Sequence, residues 1–220
     1  ILLVQDLAEF QPEMVIGKGK ILAEKGELQV SLPEMEYPDW VRKSIHLKQP
    51  LLAADFVIKT VGQETKVKVN VIGVTENQAP TRHLVLDFQP VDGEIRVDVA
   101  RDVIKLAVVE RHHATGSIQV GLVTGFGFSA HGAVASTVAH DCHQIIVMGT
   151  DEQDMSLAVN TLAEMGGGQV VIKDGQVIGR LALPIAGLMS NERGERVAAQ
   201  AQTILSGLKD CGCRVNNPNI

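Results

Sequence analysis

Hydrophobic and polar positions alternate over much of this chain, and the alternation predicts strands before anything else. Residues 65–72, TKVKVNVI, alternate strictly and read as a strand with one wet face. Residues 81–88, TRHLVLDF, form the next, and residues 93–99, GEIRVDV, another, with Val91-Asp92-Gly93 as the turn between them. Residues 102–110, DVIKLAVVE, are more continuously apolar, as suits a strand covered on both faces. Residues 118–123 make a strand ended by Gly125, and residues 144–148, QIIVM, a short buried one. Residues 132–139 are ambiguous: Ala133, Ala135 and Ala139 permit a helix, whereas Val134, Thr137 and Val138 favour a strand. The clearest hairpin spans 167–181, two alternating strands around Asp174-Gly175.

The period lengthens after residue 150. Met155, Ala158, Leu162 and Met165 form one apolar stripe, and Thr150 and Gln153 have capping-box spacing at its start. Asp151 and Glu152 place negative charge on the first turn, and Gly166 ends the helix. Gly166-Gly167-Gly168 runs from helix to strand. A phosphate-binding glycine loop runs the other way, so the triplet reads as a C-cap and tight turn. Residues 184–189 make an apolar turn. Ser190 is expected to cap a last helix with Val197, Ala201, Ile204, Leu205 and Leu208 on one face, closed by Gly212.

Upstream the pattern weakens. Residues 1–30 read as short strands, 13–16 and 21–24 among them, joined by glycine turns into a half-sheet that needs another sheet to lie on. Pro33, Pro38 and Pro50 interrupt regular structure over 31–50. Tyr37 and Trp40, the single Tyr and Trp, are expected to pack this stretch onto a domain surface, and His46 reads as structural. The organisation expected is therefore a β segment over 1–35, a connector over 36–50, and an α+β domain over 51–220 with a mixed sheet and flanking helices.

Composition narrows the function. Hydrophobic residues make up 45% and aromatics 3%, so Val, Ile, Leu and Ala must build the core. Lys+Arg 20 against Asp+Glu 26 gives a formal charge of −6 without a basic cluster, which argues against nucleic acid as a partner. No apolar run is long enough to span a membrane as a helix, and Ile1-Leu2-Leu3-Val4 lacks the features of a secretory leader. Cys142, Cys211 and Cys213 are odd in number and lack redox or zinc-knuckle spacing, so a reducing cytoplasm is the expected home. The start at Ile1 reads as a processed or excised piece, and the tail at 216–219 as frayed or continuing into something longer.

Candidate chemistry concentrates in residues 110–154, which hold His112, His113, His131, His140 and His143, five of the seven histidines. Neighbouring residues on a strand face opposite ways, so His112 and His113 serve one metal only if the chain turns there, and Gly116 offers a turn. His140 and His143 are spaced to meet in a helical turn, with Asp141 placed to orient an imidazole. Three readings stay open for this set: a His/His/Asp metal site, the lining of a metal-free pocket, or structural hydrogen bonding. Cys142 has no nucleophile elbow around it.

Several long words in order carry a resemblance. VVERHHATG (108–116), VGLVTGFG (120–127), AVASTVAHDCHQIIVMGT (133–150), AVNTLAEMGGGQVVIKDG (158–175) and LPIAGLMS (183–190) resemble the C-terminal region of bacterial adenine deaminases of the amidohydrolase superfamily. DWVRKSIHLK (39–48) is similar to the segment that enters that region, and residues 1–30 look like closing strands of the small β-sandwich beside an amidohydrolase barrel. The resemblance implies a parent activity, adenine and water to hypoxanthine and ammonia. It also implies manganese or iron in a (β/α)8 barrel that activates water, with a barrel carboxylate moving protons. This chain has no HxH pair and no room before residue 100 for eight strand–helix units. It is expected to be inert alone, to hold no cofactor of its own, and to dock on the barrel of its parent. His112, His113, His140, Asp141 and His143 are then expected as pocket or accessory residues at the mouth of the barrel site, closing the purine pocket or helping to hold the assembly. The alternatives are a stand-alone metal- or ligand-binding module centred on these histidines, or a structural domain for homo-oligomerisation through an exposed apolar face.

Overall fold

The computed structural model describes residues 1–33, 35–62 and 64–216. The expectations for 217–219 lie outside these residues. The chain divides into two compact units, residues 1–37 and 38–220.

The first unit is an antiparallel meander of β1 (Leu2–Val4), β2 (Pro12–Gly17), β3 (Lys20–Glu24) and β4 (Glu27–Leu28). Lys18-Gly19 and Lys25-Gly26 make its turns with left-handed backbones. Leu2, Leu3, Leu7, Phe10, Ile21 and Leu28 are exposed.

The second unit opens with α1 (Asp39–Arg42), a short helix after Pro38 where the prolines had suggested no regular element. Proline fixes a backbone angle compatible with helix entry and loses nothing by lacking an N–H there. Trp40 is 74% exposed, so it does not pack the connector onto this unit. Among the described residues one mixed sheet then organises the unit. Its strands are β6 (Val67–Gly73), β7 (Arg82–Phe88), β9 (Val103–Val109), β10 (Ile118–Thr124), β11 (Ala133–Ser136), β12 (Ile145–Gly149), β13 (Gly168–Lys173) and β14 (Gln176–Ala182). They lie in the order β14-β13-β11-β12-β9-β10-β6-β7, with β10 parallel to β6 and the other neighbours antiparallel. The stretch expected as a strand over 93–99 shortens to β8 (Glu94–Ile95), which pairs with β5 (Ile58–Lys59); Asp98 then caps a 3₁₀ turn at 99–101.

Strand alternation sorts the core. Ala107, Val109, Ala133, Ala135, Ile145, Val147, Val170 and Ile172 face α2 (Glu152–Glu164), which buries Met155, Ala158, Val159 and Leu162 against them. Ile104, Val123, Val134, Met148 and Val171 face the other way, where α3 (Gly194–Asp210) sets down Ile204 and Leu208. The ambiguous 132–139 segment is a strand because it lies mid-sheet: its small residues let both helices' layers approach, and all of 133–136 is buried. The α+β architecture expected from the pattern is the one observed.

Both helix starts differ from expectation. Asp151, not Thr150, caps α2 by accepting from Gln153 N and Asp154 N at 2.9 and 3.0 Å. The Thr150 hydroxyl instead donates to Ala130 O and accepts from Gly132 N, tying the end of β12 to the loop before β11. Ser190 accepts from Glu192 N in a local turn, and α3 begins after Arg193 without a side-chain cap. Gly166 and Gly167 close α2 as expected, with Gly167 N donating to Leu162 O at 2.9 Å.

Candidate functional site

Three segments distant in sequence converge just beyond β9: the connector around Ser44, the 139–144 loop before β12, and the 184–187 turn after β14. Arg111 draws them together. It is 2% exposed, and its guanidinium meets carbonyl oxygens: Nε donates to His143 O at 2.5 Å, Nη1 to Ser44 O at 3.0 Å, and Nη2 to Ala186 O at 3.2 Å. Its backbone N donates to Gln144 Oε1, and its carbonyl accepts from His46 N. Burial pulls the Arg111 pKa below its usual value, opposed by the nearby Cys142. Arginine still holds its proton in such a site, and its planar fork serves three acceptors at once where a lysine ammonium does not.

Close backbone approach lets the guanidinium sit there. Gly187 has φ +72°, and a β-carbon on it would lie 2.9 Å from Arg111 Nη1. The buried Thr137 hydroxyl donates to Gly187 O at 2.5 Å and accepts from Gly168 N at 2.8 Å, fastening the same turn to the glycine triplet. The connector is held further on: Leu51 N donates to Asn160 Oδ1 and Asn160 Nδ2 returns a bond to Leu51 O, both 2.9 Å.

Glu110 organises the turn that carries the two adjacent histidines. Its carboxylate accepts from His112 N at 2.5 Å, His113 N at 2.7 Å, and Thr115 N and Oγ1 at 3.0 and 2.9 Å. These donors stabilise the charged form and hold Glu110 down at about 2. The chain therefore turns at His112-His113, which lie past the last residue of β9 and not on it. Their ring centroids are 6.3 Å apart.

The remaining predicted residues separate into exposed and held groups. His112 Nε2 donates to Cys142 O at 3.3 Å, which sets its tautomer in this bond, and His113 is exposed. His140 and Asp141 are exposed and pair with each other at 3.2 Å. His143 has a left-handed backbone, φ 50°, with its N donating to Ala139 O; its ring Nδ1 is buried without a hydrogen-bond partner. Among the described residues no group of three or more His, Cys, Asp or Glu side chains is arranged to hold a metal ion. A His/His/Asp ligand set does not fit this geometry. His131 lies apart, 3.9 Å from Asp151, and Cys211 and Cys213 are buried in the α3 layer. A cleft of about 130 Å³ opens beside the Glu110 turn, lined by Leu47, Lys48, Asp55, Val109, Glu110 and Ile118.

Arg111, Glu110, Thr137 and Gly187 are the residues that sequence reasoning passed over. Glu110 carried a usable signal, an acid at a strand end followed by three residues whose N–H groups need acceptors. Arg111 carried none, because its partners are backbone carbonyls that no side-chain pattern announces.

Residues 78–220 match the family model described as the adenine deaminase C-terminal domain. The chain is 46% identical over 218 residues to adenine deaminase of Moorella thermoacetica, and 44% identical over 218 residues to that of Ruegeria pomeroyi. It is 40% identical over 220 residues to that of Clostridium botulinum. Each alignment covers 99% of this chain and 36% of the relative, so the chain spans about a third of the length of the curated relatives it matches. Among the described residues no helix is long and apolar enough to cross a membrane. With a matched region that runs from before β7 past α3 and includes the whole Arg111 junction except its connector arm, this chain belongs to the adenine deaminase C-terminal domain family.

Proposed function

We propose that this chain is the C-terminal portion of a cytoplasmic adenine deaminase, the enzyme that converts adenine and water to hypoxanthine and ammonia. In this reading it is an accessory to a barrel that lies outside its bounds and carries manganese or iron. The observation that carries the reading is the identity of 40–46% along 99% of the chain to proteins named adenine deaminase. In this reading the metal and the proton-moving carboxylate belong to the barrel, and this chain's part is to shape and support the site. The exposed apolar residues of β1–β4 and the loops between them support a role as closing strands of a small β-sandwich. In the same reading 36–50 is the connector and 51–220 the accessory domain.

Within that enzyme the turn of His112 and His113 and the loop of His140, Asp141 and His143 form a wall of the purine pocket. Arg111 sets the position of that wall, because it fixes the 143 carbonyl against the connector and the 186 turn. Adenine is the partner of the parent site, the barrel is the intramolecular partner of this domain, and the exposed apolar face also suits self-association.

Two experiments test this. The purified chain with adenine and added manganese is expected to release no ammonia, and measurable turnover by the chain alone would overturn the accessory reading. In the parent enzyme, replacing His140 and His143 together by Ala is expected to raise KM or lower kcat. Unchanged kinetics with unchanged stability would remove the wall.

A further inference from the structure

The sequence contains two Asp-Gly pairs, Asp92-Gly93 and Asp174-Gly175. Each forms the tip of a two-residue turn with the same left-handed backbone. The φ angles are 54° and 76° at the first pair and 49° and 76° at the second. Val91 and Glu94 close the first turn with reciprocal backbone bonds of 2.9 and 3.0 Å. Lys173 and Gln176 close the second as the last rung of the β13–β14 ladder. All four residues of the two pairs are exposed. One contact separates the turns. Gly175 N donates at 2.9 Å to Oδ1 of Asp154, a residue of α2 that is 3% exposed. Among the described residues Gly93 N donates no hydrogen bond. The first turn is held instead through Gly93 O, which accepts from Thr60 N at 2.8 Å and from Thr60 Oγ1 at 3.1 Å. The Asp92 carboxylate pairs with Arg96 at 3.5 Å, with its side chain 87% exposed.

An Asp-Gly pair is chemically labile because glycine, with no side chain, leaves its own nitrogen unshielded and its backbone free to move. That nitrogen attacks the carbonyl carbon of the aspartate side chain and forms a new N–C bond, and the carboxyl hydroxyl leaves with the amide proton as water. The five-membered succinimide then takes a water back. Opening at the side-chain carbonyl restores aspartate, whereas opening at the main-chain carbonyl routes the chain through the side chain as isoaspartate. Water is the single co-reactant, lost in the first step and regained in the second. The attack needs an N–H free to give up its proton and a peptide free to swing towards the side chain. A hydrogen bond from that N–H to a buried acceptor on another element opposes both.

We propose that Asp92-Gly93 is a site of spontaneous isoaspartate formation in this protein, and that Asp154 shields Asp174-Gly175 from the same reaction. The two turns share a backbone conformation and exposure, so the tether on the glycine nitrogen is what sets them apart. Isoaspartate carries one extra backbone carbon, which the closing pair of Val91 and Glu94 cannot span unchanged. Its formation unpins Gly93 O from Thr60 and loosens the short β5–β8 pairing beside it.

The test ages the purified full chain at physiological temperature and near-neutral pH. Isoaspartate is mapped in its peptides by electron-transfer mass spectrometry, which tells the two isomers apart at equal mass. Conversion is expected to be about tenfold or more faster at Asp92 than at Asp174, as one well-made hydrogen bond to a carboxylate allows. Ageing in urea is expected to bring the two rates together, since unfolding removes the tether. Asp154→Ala is expected to raise the Asp174 rate towards that of Asp92. Asp154→Asn, whose amide oxygen still accepts from Gly175 N, is expected to keep it low. No isoaspartate at Asp92, equal rates in the folded chain, or no response of Asp174 to Asp154→Ala would each overturn the proposal. Should Asp154→Ala not fold, the rate ratio in the folded and the urea-unfolded chain decides alone, and the same ratio in both would count against the tether.

Discussion

Two buried cations leave β9 and its end six residues apart, and they are satisfied in different ways. Lys105 sits within the strand, 2% exposed, and donates its ammonium to Glu152 in the first turn of α2. Arg111 lies two residues past the strand, equally buried, and finds carbonyls from three separate segments. A carboxylate partner neutralises a charge and ties two elements. Carbonyl partners leave the charge in place and tie three backbones, which turns the side chain into a gauge of where those segments must be. The difference separates a fold-building contact from a site-building one. Lys105 fixes α2 on the sheet, whereas Arg111 fixes the histidine loop, the connector and the 186 turn relative to one another.

The contrast can be broken by substitution. Arg111→Ala is expected to have the largest effect, about 3–5 kcal/mol, because it orphans buried acceptors and opens a void as well. Arg111→Lys is expected to recover little, since one ammonium cannot span the three carbonyls. Urea unfolding measures both, and a cost below 1 kcal/mol for Arg111→Ala would erase the distinction. Lys105→Ala is expected to cost about 2–3 kcal/mol, mostly from the void left by its buried stem because Glu152 is 32% exposed and can hydrate, while replacing Lys105 by Met and Glu152 by Leu together should come close to neutral. A double variant as unstable as the single one would mean that Lys105 does more than pair. Gly187→Ala is expected to cost about 2 kcal/mol, from its left-handed backbone and its approach to the guanidinium. Its loss should shrink in an Arg111→Ala background if the two are coupled.

The smallest expected effect sharpens the site-building side. Glu110→Gln should cost about 1 kcal/mol, because an amide oxygen still accepts two of the four bonds. It also carries a pH signature. Glu110 is held at about 2 against an ordinary 4.5, so its contribution is complete above the ordinary value and is lost as pH falls through about 2. Wild-type and Glu110→Gln unfolding curves should therefore converge between those two values, and a constant gap down to pH 2 would contradict the caging of this carboxylate.

Much of the fold was legible because alternation and periodicity are local properties. The 65–72 and 81–88 strands, the Asp174-Gly175 hairpin and the α2 stripe all follow from residues within a few positions of each other. Helix starts were legible only to within a turn. Thr150 and Ser190 have the chemistry of caps, but Asp151 competes for the first and a local turn absorbs the second. The 93–99 strand is shorter than its alternation suggests: only Glu94 and Ile95 find a partner strand, β5, and Asp98 instead bridges to Val103 and accepts from Arg101 N in a local turn. In the candidate site the histidines were visible as titratable residues. Their separation into His140 and Asp141 on the surface, and a His143 whose carbonyl rather than ring is engaged, depended on a left-handed backbone that spacing does not encode.

The stretch 110–154 thus divides by physical cause. Its residue types, its strand at 144–148 and its family words were fixed by the sequence alone, since each is written in adjacent letters. That Arg111 gathers three segments, and that Glu110 cages the turn of His112 and His113, was decided only in three dimensions. Both act through backbone groups, Arg111 on carbonyls 67, 32 and 75 residues away, and every residue carries such a group, so no local pattern marks the one that is used.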